Sequence, residues 1–146
     1  MADMSTGVTF GRLEAEGERF QTLRRELGLT AFGINLIRLA PGQRGRIHRH
    51  ERQEELFLVL EGVLTLVVDG GEEHDLDRWA CARVGPEVRR QLVNRGPADA
   101  LVLAMGAAGE HAGRDGIAYL TFQDAEGAPP QSLPLPDDLP VSELRT

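Results

Sequence analysis

Between Thr30 and Phe122 the apolar residues fall in short runs, many alternating with polar ones, and turn-forming clusters punctuate them. The runs are TAFGINLIRLA, RIHRH, ELFLVLEG, VLTLVVDG, WACARV, VRRQLVN, DALVLAMG and IAYLTF. Each has the length and period of a β-strand. The intervening segments PGQRG, DGGEEHD, GPE, NRGPAD and GEHAGRDG are rich in Gly, Pro, Asp and Asn and read as turns and loops. Many short strands with no helix between them predict an all-β fold, an antiparallel β-barrel or jelly roll. Ahead of them, RFQTLRREL spaces Phe20, Leu23 and Leu27 at helical intervals and predicts a short N-terminal helix. The chain divides into an N-terminal arm (1–18), a barrel domain (19–124) and a Pro-rich tail (125–146).

Two patterns reach beyond a plain barrel. In ELFLVLEGVLTLVVDG both faces of the strands are apolar, with Leu56, Leu58 and Leu60 opposite Phe57 and Val59. A small barrel buries only one of these faces internally. A second sheet or a second subunit must cover the other, and the expectation is a homodimer. The tail carries five prolines, so it cannot continue a sheet interior. It is either a disordered segment or an extended arm that docks Leu133, Leu135 and Leu139 on a surface.

Composition narrows the function. The 146 residues suit one domain, and the net charge of −7 disfavours nucleic acid and anionic membrane as partners. A single cysteine, Cys81, excludes an internal disulfide, and no apolar run is long enough to span a bilayer. With no secretory pattern at the N-terminus, the expected location is cytoplasmic. All sixteen basic residues are arginine, which excludes lysine chemistry and leaves the guanidinium to handle anions. Ser5, Ser132 and Ser142 lie in the arm or tail, away from any Ser–His–Asp pattern. Cys81 is expected to be a small apolar filler, and Trp79 and Tyr119 core or rim aromatics.

The candidate chemistry lies in PGQRGRIHRHERQEELFLVLEG, from Pro41 to Gly62. On a strand, His48 and His50 project from one face, and a hairpin returns Glu55 to the same pocket. Two imidazoles and a carboxylate on one side of an ion suit a divalent transition metal: Fe, Mn, Ni, Co or Zn. Glu54 should face the opposite way. Arg46, two residues before His48, shares its face and is a candidate contact to a small-molecule ligand. Arg44, Arg49 and Arg52 are expected to form a solvated fringe.

These residues resemble the first motif of the cupin superfamily, G(X)5HXH(X)3–4E(X)6G, at every fixed position: Gly42, His48, His50, Glu55 and Gly62. The resemblance implies a small β-barrel with His48, His50 and Glu55 as metal ligands. The family's second motif, G(X)5PXG(X)2H(X)3N, is met only in outline by WACARVGPEVRRQLVN. Anchored on Asn94, the motif places Arg90 where the family has its third histidine, and Glu87, Gly85 and Trp79 also depart from it. Arginine has no lone pair to give a metal. Three accounts stay open. The site uses three protein ligands; or His74 or His111, both in expected loops, completes it; or no metal binds and Arg90 pairs with Glu55 in an anion site. Arg90 is also a candidate clamp for a ligand carboxylate or phosphate, or a partner of Glu87. The resembled family includes dioxygenases, isomerases and decarboxylases, so a metal-dependent enzyme is slightly favoured over a non-catalytic ligand-binding or sensing barrel, and over a metal-free one.

Overall fold

In the computed structural model, residues 7–14, 16–108 and 114–146 are described. Ten strands and one short helix follow in order: β1 (Phe20–Thr22), α1 (Leu23–Leu27), β2 (Gly33–Leu39), β3 (Ile47–His50), β4 (Glu54–Glu61), β5 (Leu64–Val68), β6 (Glu72–Leu76), β7 (Cys81–Val84), β8 (Arg90–Val93), β9 (Ala100–Ala107) and β10 (Gly116–Tyr119). They form two five-stranded antiparallel sheets, ordered β1-β2-β9-β4-β7 and β10-β3-β8-β5-β6. The all-β jelly-roll expectation holds. One local expectation, the short N-terminal helix, holds over part of its segment, and one does not hold. The N-terminal helix keeps only Leu23–Leu27, because Phe20–Thr22 instead pairs with Asn35–Ile37 of β2. GGEEHD is largely strand: Glu72–Leu76 pairs antiparallel with β5, which recruits even a polar segment once the neighbouring edge offers unpaired backbone groups.

The core lies between the sheets. Leu39, Phe57, Val59, Leu64, Leu66, Val84, Leu92, Val102 and Ala104 form one buried cluster. Along β4 the period of two sends Phe57 and Val59 inward and leaves Leu56 exposed, with Leu58 and Leu60 half-buried. Two glycines are fixed by geometry. Gly42 adopts φ +91° at the turn into β3, and Gly62 adopts φ +73° between β4 and β5. A Cβ at Gly62 would lie 2.2 Å from the Asp99 carbonyl oxygen, so no other residue fits there without backbone movement.

Asn94 ties the end of β8 to two loops. Fully buried, it donates from Nδ2 to the Leu39 and Ala98 carbonyls at 2.7 and 2.9 Å and accepts from the Gly96 amide at 2.7 Å. The C-terminal segment lies on the barrel. Leu139 is buried against Val67 and Val93, its amide donates to the Gly42 carbonyl at 2.7 Å, and Arg145 pairs with Asp75 at 2.9 Å. Cys81 lies exposed on β7 rather than filling the core, because it occupies the outward phase of an edge strand. Trp79 is exposed, with Arg78 stacked over it, and Tyr119 is buried beneath Arg89. Arg49 is not simply solvated: its Nε donates to the Tyr119 hydroxyl at 2.9 Å. Among the described residues no helix is long and apolar enough to cross a membrane.

Candidate metal centre

Three strands bring the cluster together. The pleat of β3 buries Ile47 on one phase and turns His48 and His50 together on the other. Glu55 shares the inward phase of β4 with Phe57 and Val59, whereas Glu54 points outward and pairs with Arg83. In the register of β3 and β8, His48 stands opposite Arg90.

The imidazole rings of His48 and His50 lie edge to face, with centroids 5.2 Å apart. Nε2 of each ring is 3.2 Å from the same oxygen, Oε1 of Glu55. One donor atom from each of the three residues falls within 4.8 Å of the others, and no further group of this kind occurs among the described residues. The far nitrogens are occupied. His48 Nδ1 lies 3.2 Å from the Arg46 carbonyl oxygen, and His50 Nδ1 lies 2.7 Å from Asp115 Oδ1. Each acceptor takes the proton on Nδ1, so Nε2 of a neutral ring offers its lone pair to an ion, and Nε2–H of a protonated ring faces the Glu55 carboxylate. His50 Nε2 is buried and makes no directed hydrogen bond. This donor set, two imidazole Nε2 atoms and a carboxylate oxygen close together with the outer nitrogens pinned, fits a divalent transition metal.

Asp115 is a site residue that the motif did not reveal. It accepts from His50, from the Arg52 and Gln53 amides at 2.8 and 2.9 Å, and from Gln53 Nε2 at 2.6 Å. Burial opposes its charge, yet these donors outweigh burial and hold its carboxyl far below the ordinary value. It lies 65 residues from His50 in sequence and arrives through the pairing of Gly116 with His50. Its one sequence signal is an acid at the start of a strand, too common to single out.

Arg90 turns inward and is completely buried. Its Nε donates to Glu55 Oε1 at 3.0 Å, and Nη2 lies 2.8 Å from that oxygen in a charge contact off the hydrogen-bonding direction. Nη1 donates to the Gly85 and Pro86 carbonyls, each at 3.3 Å, and to that of Val88. Its acidic partner is Glu55 rather than Glu87, and both Nε and Nη1 are engaged. Burial disfavours the Glu55 charge, but the facing His48 and His50 rings and the Arg90 charge outweigh it and hold the carboxyl well below its usual range. Burial likewise lowers His50, while the Glu55 and Asp115 carboxylates raise it, with a net upward shift.

The remaining candidates separate. Arg46 lines the cavity that opens beside the cluster, and its Nε donates to the Leu133 carbonyl at 2.9 Å. His74 lies in β6, half exposed, and pairs with Glu72 at 3.0 Å; it does not join the cluster. His111 and Ser5 lie outside the described residues. The cavity encloses about 320 Å³ and is bounded by the cluster, Arg46, Asn35, core side chains and the C-terminal residues Pro130 and Leu135.

Comparison with known proteins agrees with this geometry. A family model described as a cupin domain matches residues 35–106. A sugar phosphate isomerase of the cupin superfamily from Silicibacter pomeroyi is 36% identical, over 78% of this chain and 73% of that one, with a TM-score of 0.59. A cupin protein from Bacteroides fragilis shares the fold at 21% identity, covering 71% of this chain and 86% of its own, with a TM-score of 0.60. A cupin 2 conserved barrel domain protein from Salinispora arenicola does so at 21% identity, covering 66% and 86%, with a TM-score of 0.58. No curated protein matches the chain.

Proposed function

We propose, from the premise that this chain belongs to the cupin superfamily, that His48, His50 and Glu55 hold one divalent transition metal beside a cavity that binds a small anionic or oxygenated molecule. The observation that carries this reading is the aim of both Nε2 atoms at one Glu55 oxygen while an acceptor pins each Nδ1. When bound, the ion supplies Lewis acidity toward a ligand oxygen. The protein's own groups do the rest. Asp115 orients His50, Arg90 balances the Glu55 charge in the position of a fourth ligand, Arg46 meets the anionic end of the ligand, and the apolar wall excludes water. Turnover is favoured over mere binding because the three-ligand set leaves coordination positions for a substrate.

A second reading rests on the same Arg90. Its ion pair with Glu55 already compensates the carboxylate, so a metal-free anion-binding barrel is the competing account. Titrating Co(II) into metal-free protein and following its visible absorption separates the two. The metal reading expects saturation at one equivalent in the wild type and none in His50→Ala. Identical titrations of the two proteins would favour the metal-free barrel.

The same proposal takes the chain as a cytoplasmic homodimer. Leu56 is exposed on the outer face of β4, next to a groove lined by Phe32 and Met105. Covering that face with a second copy removes apolar surface from water. Sedimentation equilibrium of the wild type against Leu56→Glu checks it, with a monomeric wild type as the contrary result.

A further inference from the structure

The cavity beside the cluster has a one-sided chemistry. Its deep wall is Leu39, Phe57 and Leu92, which are 0%, 1% and 4% exposed, and Ile37 and Leu135 extend it. Outside the three cluster residues, the polar side chains on its lining are Asn35 and Arg46. Among the described residues the Arg46 side chain makes one hydrogen bond, from Nε to the Leu133 carbonyl at 2.9 Å. Among the described residues, no carboxylate lies within ion-pair distance of its guanidinium. Among those residues its Nη edge meets no acceptor and can receive one from a ligand. Arg19 stands close enough to feel the Arg46 charge; burial lowers its pKa, the Asp138 carboxylate raises it and Arg46 lowers it further.

These features discriminate between kinds of anion. A polyhydroxylated ligand pressed against Leu39, Phe57 and Leu92 would bury hydroxyl groups with no partners, and each such group carries a desolvation cost. A carboxylate with an apolar chain meets both halves of the cavity: the chain covers the wall and the carboxylate takes two donors from the Arg46 fork. A space of about 320 Å³ lies at the small end of ligand cavities and suits a compact molecule.

We infer that this cavity takes a small carboxylic acid with an apolar chain, held by Arg46 at its carboxylate and by Leu39, Phe57 and Leu92 along its chain. The inference deepens the functional reading above and rests on it in taking the end of the cavity at His48, His50 and Glu55 as the working centre.

Isothermal titration with three probes tests it: 4-methyl-2-oxopentanoate, pyruvate and glucose 6-phosphate. Each is titrated into wild-type protein, metal-free and supplemented with Mn(II). The first probe has three more carbons than pyruvate, and each buried methylene is worth about fourfold in affinity. The expected preference for 4-methyl-2-oxopentanoate is thus about 60-fold over pyruvate, with glucose 6-phosphate weaker than the longer acid. Arg46→Gln should weaken both acids about tenfold or more while leaving their ratio in place. Leu135→Ala, at a half-buried position of the C-terminal arm, should reduce the ratio. Equal affinity for the two acids, tighter binding of glucose 6-phosphate, or no heat from either acid overturns the inference. The ratio is read within one form of the protein, so it is independent of the ion. A preserved ratio without Mn(II) binding rejects the metal alone, and a flat ratio with Mn(II) bound rejects the acid alone.

Discussion

Replacing Arg90 with methionine isolates the buried charge that pairs with Glu55. Methionine keeps an unbranched side chain of comparable reach in a position that is fully buried. The substitution leaves Glu55, only 14% exposed, without the cation 2.8 Å away, and leaves the Gly85, Pro86 and Val88 carbonyls without their donor. Breaking a buried pair from one side costs about 3–5 kcal/mol, because the remaining charge stays desolvated. His48 and His50 still face the carboxylate, so about 3 kcal/mol is the fitting end of that range. With a urea m-value of about 2 kcal/mol/M, the midpoint of metal-free protein should fall by about 1.5 M. Glu55→Gln alone should cost a similar amount by stranding Arg90. The double variant Arg90→Met/Glu55→Gln should lose clearly less than the sum of the two single losses. Urea denaturation of the four proteins in EDTA at pH 7 provides the cycle. A loss below about 1 kcal/mol for Arg90→Met, or strict additivity, would mean that the pair behaves like an exposed one, and the reasoning about its burial would be wrong.

Three further outcomes are expected. Asp115→Asn removes the charge behind His50 and should weaken metal binding about 10–100-fold with the far-UV circular dichroism unchanged, as read by competition with a metallochromic chelator. Leu139→Ala opens a space under the C-terminal segment where Leu139 packs on Val67 and Val93; a loss of about 2–3 kcal/mol and faster hydrogen exchange at the Leu139 amide should follow. In metal-free protein, burial lowers His50 but the Glu55 and Asp115 carboxylates raise it to a net value above the ordinary 6.5. Its contribution to stability is then complete below about pH 6.5 and is lost as pH rises through the folded value, so urea midpoints of the wild type should drop across that window and those of His50→Gln should not.

The β-class of the fold and the cluster itself were legible because both rest on short periods. His48 and His50 lie one pleat apart, Glu55 starts the next strand, and Gly42 and Gly62 mark turns that need positive φ. What escaped depends on contacts between distant segments. Glu72–Leu76 is a strand because β5 offers it an edge, and its charged residues carry no strand pattern. Phe20–Thr22 leaves a helical period for the edge of β2. Asp115 reaches His50 only through the β3–β10 register. Arg90 could be placed by its spacing from Asn94, but spacing could not choose between Glu87, a ligand and Glu55; the pairing of His48 with Arg90 decides for Glu55. Cys81 reads as a filler from composition and is exposed because β7 ends its sheet.

His48, His50 and Glu55 are proposed to form a metal centre. The most direct test of this is the metal content of freshly purified protein by inductively coupled plasma mass spectrometry, wild type beside His48→Ala/His50→Ala, with folding checked by circular dichroism. The account predicts close to one transition-metal ion per chain in the wild type and none in the folded double variant. A metal-free wild type that also fails to take up ion on reconstitution, or a double variant that keeps its full complement, would contradict it.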